Sequence, residues 1–258
     1  MRARGAALSR WLCAAAVCAV GVPSFAPAQS SGPRVVAPLC IGACPRVAGV
    51  RLAWRDRAGV RADGLNITIW FPHDEGTGKT NGIALGLPIS SSGDADGLVI
   101  GPLAAQTTDR LRGIGVAGFA MGADRLTGAL ASGLLTLAGE SRGVAVSGVA
   151  TIATVSTKGI AVGGAGVFAG GGWGVAAGGL AVHAGGGFRG VVASGLGIFS
   201  GVTTGIAVTG GVHKANDFRG LSLALVNYAR SLRGLQIGAI NIVADGRSPR
   251  LLPLVNWR

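Results

Sequence analysis

Residues 218–241 read FRGLSLALVNYARSLRGLQIGAIN and contain two successive copies of a unit that begins with glycine. In both copies a leucine follows the first glycine, Gly220 or Gly234, and a second aliphatic residue comes two places later. A polar residue, Ser222 or Gln236, lies between the two aliphatic residues. Because alternation of apolar and polar side chains is typical of a β-strand, each copy is predicted to begin with a strand.

The same unit recurs through most of the chain. Thirteen glycines, which we call the ladder glycines and number 0 within each unit, follow one another at steps of 14 to 18 residues. Positions +1 and +3 are apolar in every copy, and position +4 is always Ala, Gly, Ser or Thr. The ladder glycines are Gly49, Gly64, Gly82, Gly97, Gly113, Gly128, Gly143, Gly159, Gly174, Gly190, Gly205, Gly220 and Gly234.

This period predicts an all-β fold, a β-solenoid of about 13 coils of about 15 residues. Apolar residues resume at +6 and +8, an odd step from +3, so a straight strand would turn one of the two sets outward. A corner near +4 and +5 resolves the conflict, and glycine, which tolerates unusual backbone conformations, occupies +5 in seven consecutive copies from Gly118 to Gly210. Each coil is therefore predicted to hold two short strands and two turns, with +1 and +3 inside the stack and +2 outside.

An outer-membrane β-barrel, with one strand and one turn per unit, is the alternative fold. The phase change leaves runs shorter than the roughly nine to eleven residues that a spanning strand needs. The chain also has a single Tyr, whereas such barrels carry aromatic girdles at both membrane interfaces. The solenoid is therefore preferred.

The N-terminus has the features of a secretory signal peptide over residues 1–28. A start with Arg2, Arg4 and Arg10 precedes an Ala-rich apolar stretch, and Ala26-Pro27-Ala28 supplies a cleavage site. Cleavage there would remove three arginines and lower the net charge from +12 to +9. In the N-terminal segment of residues 29–48, Cys40 and Cys44 are predicted to form a disulfide in an oxidising compartment. Residues 49–258 form the repeat domain.

The C-terminal stretch from 216 to 258 carries the most specific pattern, since LPLVNW at residues 252–257 adds a partial third copy. It resembles the bacterial surface repeat-containing proteins, whose units read GLQIGxIN followed by a short polar turn. The resemblance implies an exported protein of the periplasm, outer membrane or cell surface with a structural or interaction role. It brings no catalytic residue and no established activity.

Two rows of residues are candidate sites. Asn227, Asn241 and Asn256 recur at steps of 14 and 15, which predicts a structural ladder of stacked side-chain amides. Position −1 carries a basic residue in six units, and stacking would align these along one edge of the rod. Such an edge could bind anionic lipid headgroups or acidic polysaccharide, giving peripheral membrane association, although basic turns also keep an apolar rod soluble. The basic residues are Arg112, Arg142, Lys158, Arg189, Arg219 and Arg233.

No enzyme, cofactor or metal is predicted. The fragment GTGKT at residues 76–80 lacks the first glycine of a phosphate-binding loop, and GIGVAG at 113–118 arises from the repeat itself. His73, His183 and His213 occupy different places in their units. A hydrolase acting on an envelope polymer is a less favoured alternative, because no nucleophile can be named. Nucleic acid is disfavoured as a partner because the chain has an export signal and few aromatic residues.

Overall fold

The protein is an all-β solenoid of about 13 stacked coils, as a computed structural model shows for residues 37–42, 44–55, 59–71, 78–244 and 250–257. The predicted signal peptide of residues 1–28, with its cleavage site, lies outside these described residues. No helix is found among them, and none of them belongs to a helical segment with the length and hydrophobicity that a membrane crossing needs.

The described residues form sixteen strands. They are β1 (Ala37–Ile41), β2 (Arg46–Ala53), β3 (Arg61–Thr68), β4 (Lys79–Gly86), β5 (Ile89–Gly101), β6 (Ala104–Ala117), β7 (Ala120–Ser132), β8 (Leu135–Ser147), β9 (Ala150–Gly163), β10 (Gly166–Ala169), β11 (Gly172–Gly178), β12 (Ala181–Ser194), β13 (Gly197–Thr209), β14 (Val212–Leu223), β15 (Val226–Val243) and β16 (Arg250–Trp257).

Neighbouring coils pair in parallel and in register, so that each ladder glycine lies beside the next. Gly128 pairs with Gly143, Gly143 with Gly159, and the same match holds from β2 to β15. Only β16 is antiparallel; it folds back on β15 and closes the C-terminal end of the stack. The alternative of an outer-membrane barrel is therefore wrong for this sheet, because the strands of such a barrel are antiparallel.

The two short strands predicted for each coil are joined in most coils. Strands such as β8 run for 13 residues, and the second predicted turn is a shift in register within them, for example between Ala138 and Glu140. Among the coils whose returning segment the structure describes in full, the coil of β10 and β11 is the one that breaks there, at Gly170 and Gly171. The strand itself continues through the shift, because an irregularity of this kind bends a strand without ending it.

The predicted corner near +5 is confirmed as a two-residue turn at +5 and +6, such as Gly118-Phe119. The glycines at +5 are required by close approach, because a Cβ on Gly133 would overlap the carbonyl oxygen of Gly118 in the coil before it. The ladder glycines approach the preceding coil just as closely and have a further requirement. All thirteen have φ between +121° and +144°, a region that other residues rarely adopt.

The predicted inward facing of +1 and +3 is wrong. None of these residues is buried, and Ile114 and Ile160 are 51% and 42% exposed. Position +2 is buried in all thirteen coils, including Leu130 and Val192 at 1% exposure. The interior is built from positions −2, +2, +4, +8 and +10. In the last two coils the turn is one residue shorter, so +7 and +9 take the last two places.

The interior is narrow and partly polar. One apolar cluster fills the coils from Ala84 to Ala145, and a second fills those from Ala161 to Val243. Hydroxyl side chains are buried between them, and Ser147 and Thr151 are linked at 2.8 Å. Small side chains fill most interior positions, and larger ones such as Phe188, Phe218 and Met121 are packed among them.

Candidate interaction surface

Hydrogen bonds across the interior define the cross-section of the coil. Ser132 at +4 lies 2.8 Å from Thr136 at +8, beside the two-residue turn. Ser200 at +10 lies 2.6 Å from Thr203 at −2, at the opposite end of the coil. Each coil therefore runs out from −2 to +4, turns at +5 and +6, and returns from +7 to +10. The turns form one long edge of the rod, and the residues that precede the ladder glycines form the other.

The six basic residues at −1 all have side chains outside the core. Five are exposed and Lys158 is half-buried. Arg142 lies beside Lys158 and Arg219 beside Arg233 in neighbouring coils, whereas Thr127, Trp173 and Thr204 interrupt the series. Arg112 also lies beside Asp96. We call these six residues the basic row.

Acidic neighbours are found at the N-terminal end of the stack. There Lys79 pairs with Asp96 at 3.6 Å, and Arg110 pairs with Asp94 at 3.8 Å. Within the described ranges, no carboxylate lies within 4.0 Å of a basic-row side chain. The basic row therefore presents positive charge that the rest of the described chain does not neutralise at contact distance.

From Lys79 to Ala244 the charges lie almost entirely on one side of the rod, whereas Arg55 lies at +6, on the turn side of the first coil. Between Lys79 and Ala244, every Asp, Glu, Lys and Arg except Lys214 lies at −4, −3 or −1. These positions form the edge opposite the turns, which we call the polar edge. The pattern can be read from the sequence when every charged residue is numbered from the nearest ladder glycine. The basic residues at −1 alone do not show it.

The opposite edge is apolar. Large side chains at the turns are stacked from coil to coil by main-chain hydrogen bonds, such as Leu134 N to Phe119 O at 3.0 Å and Leu196 N to Leu180 O at 2.9 Å. We call this the apolar edge; its exposed members are Leu103, Phe119, Leu134, Val149, Leu180, Leu196 and Leu225. Ala165 and Gly211 interrupt it. Towards the N-terminus Trp54 and Trp70 continue it, with their rings stacked at 5.9 Å.

Part of the predicted asparagine ladder is present. Asn227 donates from Nδ2 to Oδ1 of Asn241 at 2.8 Å, and both residues are fully buried. Asn256 does not continue the ladder, because β16 runs antiparallel and places it opposite Gln236. Sequence spacing alone could not show this reversal of strand direction.

Sequence reasoning missed the role of His213. Its Nδ1 lies 2.6 Å from the Ser222 hydroxyl, which in turn donates to Asn227. Burial lowers the pKa of His213 from 6.5 to about 4, while a side-chain hydrogen bond with Asn227 opposes that shift. The imidazole is therefore neutral at pH 7 and extends the polar ladder by one coil.

The other candidate residues lie apart from one another. Cys40 and Cys44 form a disulfide with a Cα–Cα distance of 6.4 Å at the N-terminal end of the stack. His183 is exposed at +9 on the returning segment, and His73 lies outside the described residues, as do residues 76 and 77 of the fragment at 76–80. In the part of the chain that the structure describes, no three His, Cys, Asp or Glu side chains are grouped to hold a metal ion.

The arrangement as a whole is that of a surface rather than a pocket. A shallow cavity of about 270 Å³ lies at the C-terminal cap, lined by Val243, Arg250, Leu252, Asn256 and Trp257. The basic row and the apolar edge, by contrast, extend over most of the rod. No protein-family model, no curated protein and no solved structure matches this chain.

Proposed function

We propose that this is an exported, envelope-associated repeat protein that binds anionic envelope components along its basic row. The observation that carries the proposal is the alignment of six basic side chains, outside the core and without a carboxylate at contact distance, on one side of a rigid rod. Like charges on neighbouring coils repel one another, and an anionic partner would relieve that repulsion.

The length of the rod favours an extended partner. With a spacing of about 4.8 Å between coils, thirteen coils span roughly 60 Å. Anionic groups that repeat along a surface, such as phospholipid headgroups or the carboxylates of an acidic polysaccharide, can contact several coils at once. The resemblance of residues 216–258 to surface repeat-containing proteins favours the same exported setting.

The test replaces four members of the basic row, Arg142, Lys158, Arg189 and Arg219, with Gln. Binding to anionic vesicles and to an acidic polysaccharide column is then measured at two salt concentrations. Each cation near an anionic surface contributes roughly 1 kcal/mol, so removing four of them should weaken binding to vesicles on the order of 1000-fold, and high salt should weaken the binding of the parent protein.

The matched control removes the same charge from the other end of the stack. Arg46, Arg61, Lys79 and Arg110 are replaced with Gln, and three of these four already pair with aspartates. This control should keep most of its binding. Unchanged retention of the basic-row variant on both vesicles and polysaccharide would refute the proposal.

A further inference from the structure

The structure is unusual because its interior is partly polar while its exterior carries an extended apolar surface. The interior buries many polar side chains, among them Asn66, Thr136, His213, Asn227 and Gln236. The outside carries large aliphatic side chains at +1 and +3 in most coils and at +6 in about half of them. A protein surrounded by water on all sides normally shows the opposite tendency, and an extended exposed apolar surface marks a place of contact.

We propose that the apolar edge is immersed in one leaflet of an anionic lipid bilayer, with the basic row at the level of the headgroups. This inference rests on the proposed function for the choice of an anionic surface and adds that the anions belong to lipids. The rod would lie along the membrane and would not cross it.

The dimensions of the coil fit a single leaflet. Positions +1 to +5 span about 13 Å of extended chain, at roughly 3.3 Å per residue. Half of the hydrocarbon core of a bilayer is about 15 Å thick. With the turns near the bilayer centre, the ladder glycines would lie at the boundary of the hydrocarbon, and the −1 side chains would reach the phosphates.

The distribution of charge fits the same placement. Because all but one of the charges between Lys79 and Ala244 lie on the polar edge, immersion of the apolar edge would bury almost none of them. The exception, Lys214, lies at +9 on the returning segment, closer to the polar edge than to the turn, and its ammonium is 6.0 Å from the ring centroid of Tyr228. A lysine at this depth can extend towards the headgroups.

The shape of the apolar surface favours lipid over a second copy of the chain. Apolar side chains cover the face at +1 and +3, continue around the turns, and cover most of the returning face, where Phe168 and Phe199 are 46% and 41% exposed. A rigid partner of the same shape would cover one of these sides and leave the others in water. Fluid acyl chains can cover all of them.

The test measures depth with a tryptophan introduced at each edge. Leu134→Trp places the probe on the apolar edge, and Asn216→Trp, the matched control, places it on the exposed polar edge. Vesicles of phosphatidylcholine and phosphatidylglycerol carry bromine deep in the acyl chains, and the quenching of the parent protein is subtracted. We expect added quenching for Leu134→Trp and none for Asn216→Trp.

A second variant tests the energetic contribution of the edge. Replacing Leu134, Leu180 and Leu196 with Ser should lower partitioning into these vesicles by at least about 100-fold, since each leucine loses part of its apolar burial. The three side chains are 45–65% exposed, so circular dichroism should show an unchanged fold. The control variant, with Asn216→Ser on the polar edge, should bind as the parent does.

The outcomes separate this inference from the proposed function. If the protein binds vesicles but neither tryptophan is quenched, the immersion is wrong and anion binding at the surface stands. If it is retained on acidic polysaccharide but not on vesicles, the lipid is the wrong partner. If neither surface retains it, both proposals fail. If the triple Ser variant loses self-association in lipid-free buffer yet still binds vesicles, the apolar edge joins two copies and the inference is overturned.

Discussion

The glycine ladder offers the sharpest test of the stacked-coil fold, through the substitution Gly143→Ala. Gly143 has φ of +130°, and a Cβ added there would lie less than 3.0 Å from the carbonyl oxygen of Gly128. Both groups belong to the backbone, so no side-chain rotation can relieve the overlap. Either Gly143 changes its φ or the two coils move apart, and both changes disturb the parallel hydrogen bonds on either side.

The expected effect on stability follows from these two terms. A non-glycine residue held in this region of φ loses roughly 1–3 kcal/mol. Weakening one or two main-chain hydrogen bonds costs about 1 kcal/mol each. The free energy of unfolding should therefore fall by roughly 2–5 kcal/mol.

The matched control is Gly122→Ala in β7. A Cβ there would meet only the Gln106 Cγ at 3.9 Å, and the φ of Gly122 is not in the left-handed region. Because alanine lowers the entropy of the unfolded chain, this variant should match the parent or gain up to about 1 kcal/mol. Urea denaturation followed by circular dichroism gives the midpoints, which are compared directly because long repeat arrays need not unfold in one step. A Gly143→Ala midpoint equal to that of Gly122→Ala would refute the ladder.

Three further predictions test the interior. Burial lowers the pKa of His213 to about 4 in the fold, against 6.5 for an ordinary histidine, so its contribution to stability is complete above pH 6.5 and is lost as the pH falls to about 4. Over this pH range the free energy of unfolding, measured by urea denaturation, should fall by about 3 kcal/mol. A His213→Asn variant should not show this decrease. Leu130→Ala should lower the free energy of unfolding by roughly 2–4 kcal/mol and Ile114→Ala, 51% exposed, by less than about 1 kcal/mol; the reverse order would contradict the assignment of inner and outer faces. Asn227→Leu should lower it by roughly 2 kcal/mol, because the variant leaves buried polar groups of Asn241 and the neighbouring main chain without a partner, and an unchanged denaturation midpoint would show that the ladder contributes nothing.

The period of the fold could be predicted because it is imposed by the backbone. A ladder glycine is needed at the point in each coil where the backbone has a positive φ and lies against the previous coil. Because this point recurs once per coil, glycine recurs in the sequence with the same period. The pairing of Asn227 with Asn241 is predictable for the same reason, since residues one period apart become neighbours. Asn256 has the right spacing but the wrong strand direction, which the period does not encode.

Hydrophobicity alone could not show which positions of each strand face the interior. Positions +1 and +3 are the most consistently apolar, whereas +2 includes Arg51, Ser222 and Gln236, and all three are fully buried. The usual rule that apolar residues lie inside therefore favours the wrong side. With −2, +2, +4, +8 and +10 inside, every step from −2 to +10 is even, and in coils of 15 residues the odd step falls between +10 and the next −2, at the register shift. The corner near +5 is present, but the phase change inferred between +3 and +6 is not its cause.

The assignment of inner and outer faces also determines which residues form the candidate surface. The sequence contained a signal for this assignment. Positions −1, +1 and +3 have the same parity, so on a continuous strand they lie on the same face. Six charged side chains at −1 cannot be buried together without partners, because each would lose its hydration. The basic row therefore required −1 to face outward, and the aliphatic residues at +1 and +3 with it. Basic and apolar side chains on one outer face are what an anionic lipid surface would contact, and this is why the vesicle experiments address the fold and the function together.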